Sequence, residues 1–158
     1  MKYLILALLL SFSTLCLSQN KVRAPGNFFI DSVSYQRLCF DTGIPQYYSI
    51  NAKHPKSSYQ ILDEARQFYK KPENNAQSGF LTVRLIVNCR GEAVAFHLYE
   101  LDESYQNRPF DIKISSQLMD FVKKLGGWKI ATYEGKTYNY YTYLCFKIKN
   151  GNLETVAP

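Results

Sequence analysis

The chain has 158 residues, 46% of them hydrophobic, with 19 basic against 13 acidic side chains and a net charge of +6. That length suits one domain able to bury a real core. The basic residues are scattered, which argues against a nucleic-acid partner; in an exported protein such mild basicity favours lipid headgroups, acidic glycans or an acidic partner.

In chain order, Lys2 supplies a basic start, Tyr3 to Leu10 an apolar run, and Cys16 and Ser18 are small residues at the two positions that determine cleavage. Residues 1–18 therefore read as a secretory signal peptide cut before Gln19. A membrane anchor would need about 20 apolar residues, more than this run holds, so no stable span is expected in the mature chain. Lipidation of Cys16 is a third option, against which Leu15 is large where such processing prefers a small residue. Export to an oxidising compartment permits one disulfide among Cys39, Cys89 and Cys145 and leaves one thiol over. Three pairings are open. Cys39–Cys89 is favoured because it would tie the N-terminal segment to a hairpin turn, and closing a loop of that length is worth about 3–4 kcal/mol.

Residues 19–56 carry Pro25-Gly26, Asp41-Thr42-Gly43, Pro45 and His54-Pro55 among aromatics. They read as an irregular extension with one short strand near Val33 to Phe40. Ser57 with Gln60 predicts a capping box that opens a helix to about Lys70, with Ile61, Ala65 and Phe68 at helical spacing. A strand follows in which Leu81, Val83, Leu85 and Val87 face one side and Thr82, Arg84 and Ile86 the other. Arg90-Gly91 turns the chain into a second strand, with Val94, Phe96 and Leu98 on the core side and Ala95, His97 and Tyr99 opposite.

After the polar loop Asp102 to Pro109, Ser115 or Ser116 is expected to cap a second helix. Ile114, Leu118, Phe121, Val122 and Leu125 form its apolar face, and Gly126-Gly127 stop it before Trp128, read as a core anchor. The last strand places Thr142, Leu144, Phe146 and Ile148 on the aliphatic face and Tyr141, Tyr143, Cys145, Lys147 and Lys149 on the other. The expected fold is α+β: a small three-stranded antiparallel sheet packed on two helices over residues 57–158, behind the irregular extension 19–56. One sheet face is aliphatic and helix-covered; the other mixes tyrosine, histidine, arginine and lysine.

This arrangement resembles the C-terminal domain of the TonB family. The resemblance rests on the glycine-led strand Gly79 to Val87, the turn at Gly91, the helix ending before Trp128, the connection Ala131 to Gly135 ahead of Lys136, and the final strand through Phe146 and Ile148. Ile130 stands where the family usually carries a proline. The family's transmembrane anchor and proline-rich spacer are not expected here, so energy transduction does not come with the fold. The resemblance implies the periplasm or outer envelope of a Gram-negative bacterium. It also implies a last strand at the sheet edge that pairs with an extended peptide of an outer-membrane or other envelope protein, or with a second copy. The matching positions are Tyr140, Tyr141, Thr142, Tyr143, Leu144, Cys145, Phe146 and Lys147.

No catalytic residue, cofactor or metal is expected. There is no CxxC, and His54 and His97 are far apart. Glu100, Asp102 and Glu103 read as solvated charges at a strand end. A nucleophile pair of Cys89 or Cys145 with His97 competes with disulfide and packing roles for the same cysteines. The run Tyr138, Tyr140, Tyr141, Tyr143 either forms a recognition face, for a carbohydrate or another surface, or packs beneath the N-terminal segment.

Overall fold

A computed structural model describes residues 22–24, 28–39 and 43–158; the signal peptide and Cys16 lie outside them. The elements are β1 (Val22–Ala24), β2 (Phe28–Ile30), α1 (Ser32–Gln36), a 3₁₀ turn (Tyr47–Ile50), α2 (Ser58–Phe68), β3 (Gly79–Val87), β4 (Ala93–Asp102), α3 (Ile112–Lys124), β5 (Ala131–Tyr133), β6 (Lys136–Tyr138), β7 (Tyr140–Lys149) and β8 (Asn152–Ala157). The fold is α+β, but the main sheet has four strands, not three, in the antiparallel order β4-β3-β7-β8. β1–β2 and β5–β6 are separate two-stranded hairpins.

The fourth strand corrects the expectation that the chain ends its sheet at β7. Asn150 and Gly151 both take left-handed backbone angles, φ 49° and 74°. Such a pair matches the right-handed twist of a hairpin, so the chain turns back and pairs Cys145–Lys149 with Ala157–Asn152. β7 is thereby an interior strand.

β3 pairs along its whole length with both β4 and β7. Leu81, Val83 and Leu85 are fully buried beneath α2 and α3, together with Ile114, Leu118, Val122, Leu144, Phe146 and Ile148. The helix at 58–68 begins as expected: Ser57 Oγ accepts from the Gln60 N–H at 3.3 Å, and Gln60 Oε1 accepts from the Ser57 N–H at 2.8 Å. α3 starts earlier than expected. Its cap is Asp111, which accepts from the Lys113 N–H at 2.8 Å. Ser115 is inside the helix and donates instead to Glu100. Trp128 is buried, and its indole N–H donates to the Leu125 carbonyl at 2.8 Å.

Val94 does not lie on the core side. A bulge sets Ile86 against Ala95 and Val87 against Ala93, so Val94 is the extra residue. It joins Ile30, Ile86, Ala95 and Tyr141 in a second apolar cluster on the far face, covered by Tyr35, Leu38 and Ile44. Where the expected strand near Val33–Phe40 is described, it is the short helix α1 followed by a turn through Arg37 to Cys39. Asp31 accepts from the Ser34 N–H at 2.8 Å, an N-cap that a strand could not use. That bond holds the Asp31 carboxyl below the usual carboxylate range.

The disulfide joins Cys39 to Cys89, with Cα atoms 6.0 Å apart. Buried Asn139, just before β7, reinforces it. Its Oδ1 accepts from the backbone N–H of both cysteines, each at 3.2 Å. The N-terminal segment, the β3–β4 turn and the start of β7 are thus knotted at one point.

Two outcomes follow. With the cysteines separated by 50 positions in the sequence, the variant Cys39→Ser/Cys89→Ser is expected to lose about 4 kcal/mol in urea unfolding. At Gly79 (φ +148°) an added Cβ would sit 2.1 Å from the Leu101 carbonyl oxygen. Gly79→Ala should therefore cost about 2–3 kcal/mol, measured the same way.

Candidate functional site

The eight residues expected to form a binding edge do not form one. The backbone groups of Tyr141, Cys145 and Lys147 that face away from β3 are met elsewhere. β8 pairs with Cys145 to Lys149, and at the other end the Tyr141 N–H donates to the Pro45 carbonyl at 2.9 Å, with Gln46 bridged in parallel to Tyr141. Their side chains divide by strand alternation. Tyr140, Thr142, Leu144 and Phe146 are buried, and the Tyr140 hydroxyl donates to the Lys129 carbonyl at 3.0 Å. Tyr141 is buried in the second cluster, Tyr143 and Cys145 are half-buried, and Lys147 reaches Glu154 of β8 at 2.6 Å.

The far face of the sheet is consequently split. The half around Ile86, Val94, Ala95 and Tyr141 lies under the N-terminal segment. The other half is an open groove of about 500 Å³, running from Gln46 and Tyr48 across Tyr143 and Cys145, then Thr82 and Arg84, to Tyr99 and Leu101. Arg84 lies over the Tyr99 ring, 4.9 Å from its centroid. Tyr47 meets Tyr143 edge-on at 6.1 Å and Tyr48 at 5.5 Å, which fixes the groove's other wall. Both readings of the tyrosine run therefore apply, to different members: Tyr141 packs beneath the extension, and Tyr143 lines a surface. Tyr48, Thr82 and Tyr99 were not singled out by sequence, because they come from three separated elements.

The two outer strands, β8 and β4, differ in what shields them. In β8 a bulge falls at Glu154, and Arg66 of α2 donates to the carbonyls of Leu153 at 3.2 Å and Glu154 at 3.3 Å. Both features protect an edge from another chain. In β4 the end is closed by its own loop: Arg108 N–H donates to the Glu100 carbonyl and Asp102 N–H to the Gln106 carbonyl. Those bonds show that even-numbered residues of β4 turn their backbone groups outward. By the two-residue repeat, Phe96 and Leu98 do so as well. No other described backbone group bonds them.

Groups suited to acid–base or nucleophilic work have structural duties. Glu100 is not a solvated charge; it is half-buried and accepts from the Phe110 N–H at 3.3 Å and from the Ser115 hydroxyl. Asp102 Oδ1 accepts from the N–H groups of Ser104 and Gln106. Cys89 is held in the disulfide, and Cys145 keeps its thiol. Among the described residues no group of three or more His, Cys, Asp or Glu side chains could hold a metal, and no helix is long and apolar enough to cross a membrane.

No family model matches the chain, and no curated protein or solved structure matches it.

Burial pushes the phenols of Tyr140, Tyr141 and Tyr143 up, the last with help from the neighbouring Tyr47. Tyr69, whose hydroxyl donates to the Gly151 carbonyl at 2.8 Å, is pushed up to about 12 by burial and then by Asp111. All four are neutral hydrogen-bonding groups at neutral pH. A raised folded-state value means that the unfolded chain ionises first, so this stability is complete below about pH 10 and lost as the pH rises toward 12. The urea midpoint should fall between pH 9 and pH 11, and fall less in Tyr69→Phe. A midpoint that stays level over that range would contradict the assignment.

Proposed function

We propose that the protein is a non-catalytic binding module of the exported envelope, TonB C-terminal-like in design, that takes an extended peptide by strand addition along β4. The observation that carries this reading is the outward-turned backbone of Phe96 and Leu98, which no described backbone group bonds, on an outer strand of an antiparallel sheet whose opposite edge is shielded by Arg66. An added strand would supply the missing main-chain bonds, and its alternate side chains would flank His97 and Tyr99 on the far face. The Cys39–Cys89 bond supports an oxidising location such as the periplasm or outer envelope. On the strand that the family resemblance marks out, Tyr140 to Lys147, β8 takes the outer side from Cys145 onward and Pro45-Gln46 takes it at Tyr141, which favours β4 instead.

The test begins with immobilised protein in a Gram-negative envelope extract, and mass spectrometry of the peptides it retains. Amide exchange at Phe96 and Leu98 is then read with and without the retained peptide. Both amides should slow by about tenfold or more on binding. Leu98→Pro removes one outward N–H at a position where an outer strand tolerates proline, and it should abolish retention while circular dichroism is unchanged. Retention by a folded Leu98→Pro variant, or protection that maps to β8, would falsify strand addition at β4. Slow exchange that grows with protein concentration and needs no peptide would identify the added strand as β4 of a second copy.

A further inference from the structure

The strap of residues 51–56, between the 3₁₀ turn and α2, is folded against the end of α3 around one imidazole. His54 Nε2 stands 3.1 Å from the Gly126 carbonyl, and His54 Nδ1 stands 3.1 Å from the Lys56 backbone N–H. A carbonyl can only accept and a backbone N–H can only donate, so the two partners select one tautomer. The ring is neutral, carries its proton on Nε2 and offers a bare Nδ1. It also meets Trp128 edge-on, with centroids 4.7 Å apart. The charged groups around it are mixed. Lys56 of the strap is paired with Glu64 of α2 at 2.7 Å, and Lys129, just past Trp128, donates to the Asn51 carbonyl at 2.8 Å. In the last turn of α3, Lys123 is exposed and Lys124 lies over the Phe68 ring. Burial holds the His54 ring below the ordinary imidazole value, with Lys56 adding to it, against the Gly126 bond and Glu64, which favour charge.

We infer that His54 is an acid-sensitive clasp: a proton on Nδ1 turns that atom from acceptor to donor, sets it against the Lys56 N–H, and releases the strap at that point. The Gly126 bond survives, because Nε2 keeps its hydrogen, so the change is confined to one side of the ring. The strap leads back to the Tyr47–Ile50 turn, which brings Tyr48 to the groove, and forward to Ser57, the cap of α2. Acid therefore slackens the join between a groove wall and the helix layer. The folded value is the lower one, so the unfolded chain takes up the proton first. The contribution of the clasp to stability is complete above the ordinary imidazole value of 6.5 and is lost as the pH falls from there through the folded value.

The test is an NMR titration of the full chain between about pH 7.5 and pH 4.5, a range that brackets the imidazole. At the upper end the ring nitrogen shifts of His54 should place the proton on Nε2. At the lower end the Lys56 amide, corrected for intrinsic exchange, should exchange about tenfold faster, while Val83 in β3 stays protected. His54→Asn puts an amide oxygen where Nδ1 stood and should keep Lys56 protected at both ends. His54→Gln puts an amide nitrogen where Nε2 stood and should leave Lys56 unprotected at both. Trp128 is the single tryptophan of the chain, and its emission should fall as the neighbouring ring charges, in the wild type and in neither variant. The other histidine is His97, and His97→Gln should respond as the wild type does. A neutral ring with its proton on Nδ1, a Lys56 amide indifferent to pH, a response retained in His54→Asn, or Val83 protection lost together with that of Lys56 overturns the inference.

Discussion

The structure depends on β3 being satisfied on both edges and fully buried on its helix-covered face. Its nine residues pair with β4 on one side and β7 on the other without a break except at the Ile86–Val87 bulge. Its odd-numbered side chains lie under the two helices, and Ile86 lies under the N-terminal segment. A central strand of that kind leaves no main-chain group to solvent, so everything variable is displaced outward: edges, groove and loops. The knot at Asn139 then fixes the N-terminal segment against one end of this strand, because a single carboxamide oxygen serves both halves of the disulfide.

Placing that segment at one end gives the molecule its functional asymmetry. It covers the Ile86 end of the far face and caps Tyr141 through Pro45. The face is left open where Thr82, Arg84 and Tyr143 emerge, and there the segment itself supplies a wall through Gln46 and Tyr48. The two sheet edges show the same division. β8 is bent by a bulge and held by Arg66, whereas β4 keeps a short stretch with outward main-chain groups. The unguarded edge ends beside the groove at Tyr99.

Several local features were legible from residues alone. The Ser57/Gln60 box, the period-two burial of Leu81, Val83 and Leu85, and the helical stripe through Leu118 and Phe121 all stand in the structure, and of the three cysteine pairings left open the favoured one, Cys39–Cys89, is the one formed. The last hairpin is marked in the sequence too, since Asn150-Gly151 between apolar alternations is a strong turn signal. Val94 was not legible. A bulge inserts one residue without any mark in the alternation, and a shift of one residue moves a side chain to the opposite face. Asp111 and Ser115 are both acceptable helix caps, and only the position of Glu100 on β4 recruits Ser115 into a different bond.

What the sequence by itself determined is therefore the set of elements and which side of each is apolar, because propensity, capping and alternation are local. Tertiary structure decided which strands are edges and which residues share a surface. Whether β7 is exposed depends on a strand that follows it and on Pro45, nearly a hundred residues away in the chain. Alternation puts Arg84, Tyr99 and Tyr143 on one face, but no local rule brings Tyr48 to them or sets which strands are neighbours. Edges and surfaces are set by long-range pairing, and pairing is chosen by the burial of the whole chain.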